Sequence, residues 1–455
     1  MIATAKQDNS LPYVIDLFSG CGGMSLGFSN AGFQILASVD IDDSAAKTAE
    51  YNLHHLQEES PYEPQSLVGD VRNIDPSDIL PQGFDSDLIV IGGPPCQAYS
   101  MAGRGKLRSL GAEREHTKDK RGNLYIDFLN FSITAGARAI IMENVPAAVN
   151  YGGKNIPEDA CSFLEKNGYS AIWTILNAAD FGVPQRRDRM FLIATKSDSG
   201  INPFIPKPEY CCSNGTITPA GRSFSRFLEE SKHFVRPHIA EETSNWVTVG
   251  DALSDLPQLF PSPETPYHLP KPSEAKAYRN SPKNDFQRKM RGNKKSLSGH
   301  AFRRTSRDFP IFEKMKAGDD YRDAVVIAEK LLREKLRMSE IDTVANPTRY
   351  KLLKKQTIPP YSLDKFHDKW KKLDPQSTSH TVPAHLGTDT YSHIHPEEPR
   401  GISVREAARL QSFPDNFVFP CSMGDAFKQI GNAVPPLLAE AIAKSLKQEI
   451  LLSHE

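Results

Sequence analysis

The chain contains no run of 18 or more apolar residues, so no membrane-spanning helix is expected. Its start, MIATAKQDNSLPYVIDLF, lacks the basic head, apolar run and small-residue cleavage site of a secretory signal, which predicts a cytoplasmic protein. Cysteine is scarce: the six sit at 21, 96, 161, 211, 212 and 421, and no two are spaced C-x-x-C. In a reducing compartment this excludes a disulfide framework. The adjacent Cys211 and Cys212 have no ligand-spaced neighbours to complete a zinc site. Cys21, Cys161 and Cys421 are expected to fill small apolar spaces. Neither sign of charge dominates, with 55 Lys and Arg against 56 Asp and Glu. A near-neutral total does not decide for or against a nucleic-acid partner, because local clusters set that footprint. There is no internal repeat and no low-complexity tract. What is present is ordinary globular composition, 39% hydrophobic and 24% charged, over 455 residues, a length that suits two domains.

The first 195 residues alternate short apolar runs with polar, helix-length segments. YVIDLF (13–18), QILASVD (34–40), DLIVIGG (87–93), AIIMENV (139–145) and MFLIAT (190–195) read as buried parallel strands. This is the pattern of a doubly wound α/β sheet. After about residue 198 the chain becomes rich in Pro, Ser, Asn and Lys, and its periodicity weakens. A helix is expected at 321–337, where Val325, Ala328, Leu331, Leu332 and Leu336 form a packing stripe. Helices are also expected at 402–413 and 434–447, the second entered through Pro435 and Pro436.

Two strand ends carry chemistry. After the first strand, DLFSGCGGMSLGF (16–28) places Gly20, Gly22 and Gly23 in a turn that brings backbone close to a ligand and opens a helix toward an anion. Such a turn alone serves several cofactors or none. Asp40 closes the next strand, where a carboxylate can accept from ribose hydroxyls, and Asp70 in GDVRNI follows a third. Each Asp alone is more often a cap, but at successive strand ends they outline a nucleoside pocket. At the catalytic end, GGPPCQAYS (92–100) puts Cys96 at the carboxyl edge of the sheet behind two stiffening prolines. A lone cysteine there would more often be buried filler. Glu143 and Asn144 end a neighbouring strand, and Gln185, Arg187 and Arg189 precede a further one, so thiol, carboxyl and guanidinium groups converge. Burial of Glu143 would raise its pKa and fit it to carry a proton.

In their joint order, DLFSGCGGMSLGF, GGPPCQAYS, ENV, QRRDR, VREAARLQSFPDNF (404–417) and KQIGNAVPPLLAEAI (428–442) resemble the motifs of the C5-cytosine-specific DNA methyltransferase family, bacterial restriction–modification type. The resemblance covers roughly the first 195 and the last 80 residues. It implies a Rossmann-like, doubly wound, mostly parallel sheet of the class I S-adenosylmethionine-dependent kind, with a smaller target-recognition domain and DNA in the cleft between them. The expected division is a catalytic domain over 1–198, a target-recognition domain with DNA-binding insertions over 199–420, and a segment 421–455 returning to the catalytic domain. The implied cofactor is S-adenosyl-L-methionine, with S-adenosyl-L-homocysteine as product, and no metal is implied. Carried over by position, Phe18 would stack on adenine, Asp40 hold ribose and Asp70 bind the adenine amino group. Asn432 would contact the cofactor's amino-acid end. Cys96 matches the nucleophile and Glu143 the glutamate that engages cytosine N3 and N4. Arg189 would touch O2 of the base, with Arg187 supporting it. Pro95 would line the pocket and help hold the base, and Ser100 with the loop after it would meet the phosphate backbone. Ala98 stands where the family commonly has glycine, Tyr99 where phenylalanine is usual, and Ile41 where some members carry a large aromatic that packs on adenine.

The implied reaction needs the cytosine out of its stack. Glycines in 101–121 permit a closing loop, in which Arg104, Lys106 and Arg108 can meet phosphates. Residues 283–307 carry nine Lys or Arg against one acidic residue, Asp285. By itself that run reads as a solvated loop. Beside the resemblance it becomes a second DNA-contacting segment, with Arg303, Arg304 and Arg307 as its candidates. His393 and His395 alternate in YSHIHPEEPRG and are expected to be structural or DNA-facing. The expected partners are double-stranded DNA and a cognate restriction endonuclease, and the protein is expected to be monomeric, cytoplasmic and nucleoid-associated. An RNA cytosine methyltransferase, a catalytically silent DNA-binding relative and a nicotinamide-dependent oxidoreductase are the rival readings. The last explains the glycine turn but not the Cys, Glu and Arg set.

Overall fold

The computed structural model describes residues 12–53, 62–95, 124–212, 225–238, 243–259, 275–303, 307–341, 344–363, 369–386 and 391–453. Cys96, Ser100, Arg104, Lys106, Arg108 and Arg304 lie outside the described residues. The chain forms two compact units. Unit 1 comprises the residues up to Val183, Arg187–Trp246 and those from Ala433 onward; unit 2 comprises Pro184–Arg186 and Val247–Asn432.

Unit 1 is built on a seven-stranded sheet. Its elements in chain order are β1 (Tyr13–Leu17), α1 (Gly23–Asn30), β2 (Gln34–Asp40), α2 (Asp43–Leu53), β3 (Gln65–Val68), β4 (Leu88–Gly92), α3 (Leu124–Thr134), β5 (Ala139–Asn144), α4 (Ile156–Lys166), β6 (Tyr169–Asn177) and β7 (Asp188–Lys196). The strand order is β3-β2-β1-β4-β5-β7-β6. The central strands are Val, Ile, Leu and Ala on both faces because helices cover both faces. The expected strands all form, but not all are parallel: β7 runs antiparallel to both β5 and β6. The connection from β6 to β7, residues 178–187, is shorter than the crossover that a parallel neighbour requires. The chain leaves the sheet centre in opposite directions from β1 and β4, and ligands bind in such folds at that reversal, at the carboxyl ends of the strands.

The C-terminal helix α12 (Pro436–Leu452) returns to unit 1 and lies against α1. Gly27 makes the approach possible, since a Cβ there would stand 2.4 Å from that of Ala439 and 2.6 Å from the backbone nitrogen of Glu440. Leu438, Ile442 and Leu446 are fully buried under the sheet, each worth about 1.5–3 kcal/mol of transfer free energy.

Two expected domain boundaries move. Residues 199–246 belong to unit 1, not to a second domain beginning at 199. Phe234 bridges to Trp173 on the sheet edge, and the Trp246 indole donates to Asp180 at 2.8 Å. Residues 421–432 belong to unit 2, not to the returning segment. Gly431 lies against the backbone of Pro383 and Ala384, and the Gln411 side chain donates to the Ile430 carbonyl.

Among the described residues, the regular elements of unit 2 are mainly helices: α5 (Val249–Leu253), α6 (Asp285–Arg291), α7 (Phe309–Lys314), α8 (Tyr321–Met338), α9 (Pro347–Lys355), α10 (Val404–Leu410) and α11 (Met423–Asn432). α8 begins in a capping box of Asp320 and Asp323 and buries Tyr321, Ala324, Ala328, Leu331 and Leu332. Val325 and Leu336 of the expected stripe are only half-buried. An aromatic knot of Phe312, Tyr321, Trp370 and Tyr391, in edge contacts of 4.9–6.0 Å, receives that face. No helix among the described residues is long and apolar enough to cross a membrane.

Candidate active site

The first loop at the carboxyl edge is held open by backbone geometry. Phe18 has φ 58°, Gly20 φ 55° and Gly22 φ 86°; Gly22 caps α1 in the left-handed region that glycine alone enters without strain. The loop is tied to the end of β2: Gly20 N–H donates to Asp40 Oδ2 at 2.8 Å, and Asp42 N–H donates to Oδ1. Asp40 therefore serves the loop itself. Ile41, beside it, is 70% exposed. An exposed Ile beside an open glycine turn and a half-buried Phe18 offers apolar surface for a flat ring, and the N-terminus of α1 is of the kind that accepts an anion. These residues fit a nucleoside cofactor with a carboxylate. Asp70, expected on the adenine, caps the turn at 71–73 and its carboxylate is paired with Arg72 at 2.5 Å.

The motifs above do not single out the residue that braces this loop. Asp16 is buried inside β1, and its carboxylate accepts from Ser25 Oγ at 2.5 Å and from Ser25 N–H at 3.2 Å. It joins the strand before the glycine turn to the helix after it. Burial pushes the Asp16 carboxyl up to about 7, against the Ser25 bonds, with the nearby Asp40 charge adding to the rise. The signal was an acid inside an apolar run, YVIDLF.

The second loop leaves β4. Gly92 is level with Met142 in the parallel register, so Gly93 and Glu143 come together at the sheet's edge. A Cβ at Gly93 would stand 3.1 Å from Glu143 Oε2. Pro94 is buried and Pro95 half-buried. Asn144, 2% exposed, donates from Nδ2 to the Pro94 carbonyl at 3.3 Å and accepts from Val145 N–H at 2.9 Å. The strand bearing Glu143 thus holds the backbone that leads into Cys96.

Arg189, on β7, places Nε 2.8 Å from Glu143 Oε1, and both side chains are 13% exposed. Arg187 is buried, receives support from Asn177 Oδ1 through its own N–H, and donates from Nη2 to the Ala433 carbonyl at 3.1 Å. Burial raises the Glu143 carboxyl above the usual range, and the charges of Arg189 and Arg187 only partly oppose this. A carboxyl whose affinity for a proton is raised in this way is suited to proton transfer, beside a fixed guanidinium able to meet developing negative charge.

Other expected positions are placed separately. In unit 2, buried Gln185 donates to the Gln411 side chain at 2.8 Å and accepts from Val382 N–H, which fixes the segment before Arg187. Asn432 ends α11 and is exposed. Arg303 is half-buried, and Arg307 is paired with Asp308 at 2.6 Å. His393 and His395 are both buried, which rules out a DNA-facing role for either ring. His393 stacks on His380 at 3.9 Å, while His395 Nδ1 accepts from the N–H groups of Glu397 and Glu398. No group of His, Cys, Asp or Glu among the described residues could hold a metal ion. Cys21 and Cys161 are buried as expected, whereas Cys421 is half-exposed.

A mostly parallel sheet with one reversed strand, a glycine turn after β1 and a carboxyl–guanidinium pair at the carboxyl edge define the class I methyltransferase fold. A solved prophage-encoded chain from E. coli shares it, with a TM-score of 0.64 and 24% identity over 96% of this chain and 99% of that one. M.OihORF3336P of Oceanobacillus iheyensis is 52% identical, covering 98% of each chain. M.AgeI of Thalassovita gelatinovora, a type II methyltransferase, is 30% identical over 96% of this chain and 99% of its own. The family model for C-5 cytosine-specific DNA methylase matches residues 13–448. The chain belongs to that family and is a DNA (cytosine-5)-methyltransferase.

Proposed function

We propose that this enzyme methylates C5 of a cytosine flipped out of a specific duplex DNA sequence, through a covalent bond between Cys96 Sγ and C6 of the ring. The observation that carries the reading is the placement of Glu143. Its carboxyl, raised by burial and held by Arg189, lies against the backbone three residues before Cys96. S-adenosyl-L-methionine would be held at the loop of Phe18, Gly20, Gly22, Gly23, Asp40 and Ile41 with Asp70 as a further contact, and would supply an electrophilic methyl group.

Cytosine C5 is a weak nucleophile. Addition of the Cys96 thiolate to C6 makes C5 enamine-like, and Glu143 stabilises the N3-protonated ring as charge builds. Arg189 meets the charge on O2, and Arg187 holds Arg189's strand end. After transfer, which leaves S-adenosyl-L-homocysteine, loss of the C5 proton to water and expulsion of Cys96 as thiolate restore the aromatic ring as 5-methylcytosine. Unstacking the base costs on the order of a few kcal/mol. Phosphate contacts by Ser100, Arg104, Lys106 and Arg108 in the following loop, and by Arg303, Arg304 and Arg307, supply it.

The end-to-end likeness to M.AgeI supports a type II role in the bacterial cytoplasm. In that role the enzyme acts as a monomer and protects sites that a cognate restriction endonuclease would cut. The test is methyl incorporation into duplex DNA and into tRNA, with bisulfite sequencing of the DNA product. Wild-type enzyme is expected to label duplex DNA at one sequence, and Cys96→Ser to bind DNA but transfer nothing. Wild-type turnover by the serine variant, or labelling of tRNA alone, would refute the reading.

A further inference from the structure

The hairpin of α8 and α9 carries a charge pattern that neither its fold nor the methyl-transfer site uses. Residues 330–363 hold eight basic and three acidic residues, in a chain whose total is −1. From Thr343 to Leu363 there is no Asp or Glu. α9 contains no buried residue; Tyr350 and Leu353 are half-buried, and Arg349, Lys351, Lys354 and Lys355 are all exposed.

This arrangement works against the helix that bears it. Lys351 and Lys355 stand one turn apart, a like-charge spacing that weakens an isolated helix. Arg349 and Lys351 lie near the N-terminus of α9, where the backbone dipole disfavours cations. On α8 the dipole accounts for Arg337 in the last turn, but not for Lys330 and Arg333 above it. These three are exposed and share one edge at i, i+3 and i+7. Lys335 is different: its Nζ donates to Thr357 Oγ1 at 3.3 Å and joins the end of α8 to the chain just after α9. On α8, Glu329 and Glu334 stand at helical spacing to Arg333, Lys330 and Arg337, so only the cations of α9 lack a carboxylate within a turn, and a polyanion would supply one.

We propose that the α8–α9 hairpin is a sequence-independent grip on the phosphate backbone of duplex DNA, separate from whatever reads the bases. It rests on the DNA-methyltransferase reading for its partner. The exposed side chains of α9 are mostly point charges, with no exposed aromatic ring on which a base could stack, which is the chemistry of phosphate contact. Such contacts release counterions, and each one lost lowers the salt slope of binding by about 0.9.

The experiment uses the full-length enzyme with Arg349, Lys351, Lys354 and Lys355 all changed to Gln, which keeps helix propensity. Binding is measured from low to moderate salt on two short duplexes, one carrying the site mapped by bisulfite sequencing and one scrambled. The salt slope is expected to fall by about 2–4, with both duplexes weakened by the same factor. The methylated sequence and kcat at saturating DNA should stay unchanged. Lys47→Gln on α2, an exposed control for net charge, should leave the slope alone. An unchanged slope in a variant with wild-type circular dichroism would overturn the proposal, as would an altered target sequence at constant slope. Failure of the wild-type enzyme to methylate any duplex would instead overturn the reading on which it rests.

Discussion

Unit 1 is held by apolar contact between a sheet and its helices, whereas unit 2 is held to a large extent by buried ions. In unit 1, β1, β4 and β5 are almost entirely apolar and buried on both faces. In unit 2, Arg409 is fully buried between Asp255 at 3.2 Å and Asp415 at 2.6 Å, and Arg400 between Glu398 at 3.0 Å and Glu406 at 2.7 Å. The tautomers of the nearby histidines follow from their partners. His300 donates from Nε2 to the Pro257 carbonyl, and its Nδ1 receives the Ser403 hydroxyl; His395 Nδ1 accepts two backbone N–H groups. Both rings are neutral, and burial pushes His300 down to about 4 and His395 to about 3. An apolar core tolerates small losses by degrees, but an ionic core fails when one partner leaves.

The largest expected effect breaks that ionic core. Arg409→Leu leaves Asp255 with only Arg291 at 3.5 Å and Asp415 with the Tyr278 hydroxyl, and should cost about 3–5 kcal/mol, read as lost hydrogen-exchange protection in α5 and α10. Adding Asp255→Leu and Asp415→Leu should recover much of it, because the ions then leave together. In unit 1, Leu438→Ala should cost about 2–5 kcal/mol with no comparable rescue by a second change.

Next comes pH, which should move the two units in opposite directions. His300 is depressed from 6.5 to about 4 on folding, so its contribution is intact above pH 6.5 and is lost as pH falls toward 4. That is about 3 kcal/mol in unit 2. Asp16 is raised from 3.8 to about 7, so unit 1 is favoured below pH 3.8 and loses that advantage as pH rises toward 7. Hydrogen exchange at pH 5 and pH 7.5, corrected for intrinsic rates, should show unit 2 gaining and α1 losing protection at the higher pH. A common trend in both would contradict the comparison.

A smaller effect is expected at the loop before Cys96. Asn144→Ala releases the Pro94 carbonyl and should lower kcat/KM by about tenfold with the fold intact, the size of one buried hydrogen bond. Smallest is Arg72→Ala, an exposed ion pair whose loss should leave thermal stability unchanged.

The same contrast explains what could be read from the amino acids. β2 forms over Gln34–Asp40, the span of its apolar run, and β1, β4 and β5 agree to within a residue or two, because strands buried on both faces announce themselves. Tyr169–Asn177 adds a strand that those runs do not include, and the direction of β7 depends on a connection, which composition does not encode. The shift in composition near 198 marks the end of the sheet strands, not the end of the chain that packs on them. In unit 2 the central residues are Arg400, Arg409, Glu406, Asp255 and His300, which any hydropathy pattern assigns to the surface. The Glu143–Arg189 pair joins two groups that their motifs had already singled out. Asp16 acts through the hydroxyl of Ser25, nine residues on, and Asn144 through the carbonyl of Pro94, fifty residues back, and neither pairing can be inferred from sequence spacing.

The central claim, that Cys96 bonds to a flipped cytosine beside Glu143, is tested most directly with duplex DNA carrying 5-fluorocytosine at the mapped site. Fluorine blocks the final loss of the C5 substituent, so wild-type enzyme with S-adenosyl-L-methionine should be trapped as a denaturation-resistant adduct, with peptide mass spectrometry placing the base on Cys96. No adduct with active wild-type enzyme, or an adduct that survives Cys96→Ser, would contradict the account.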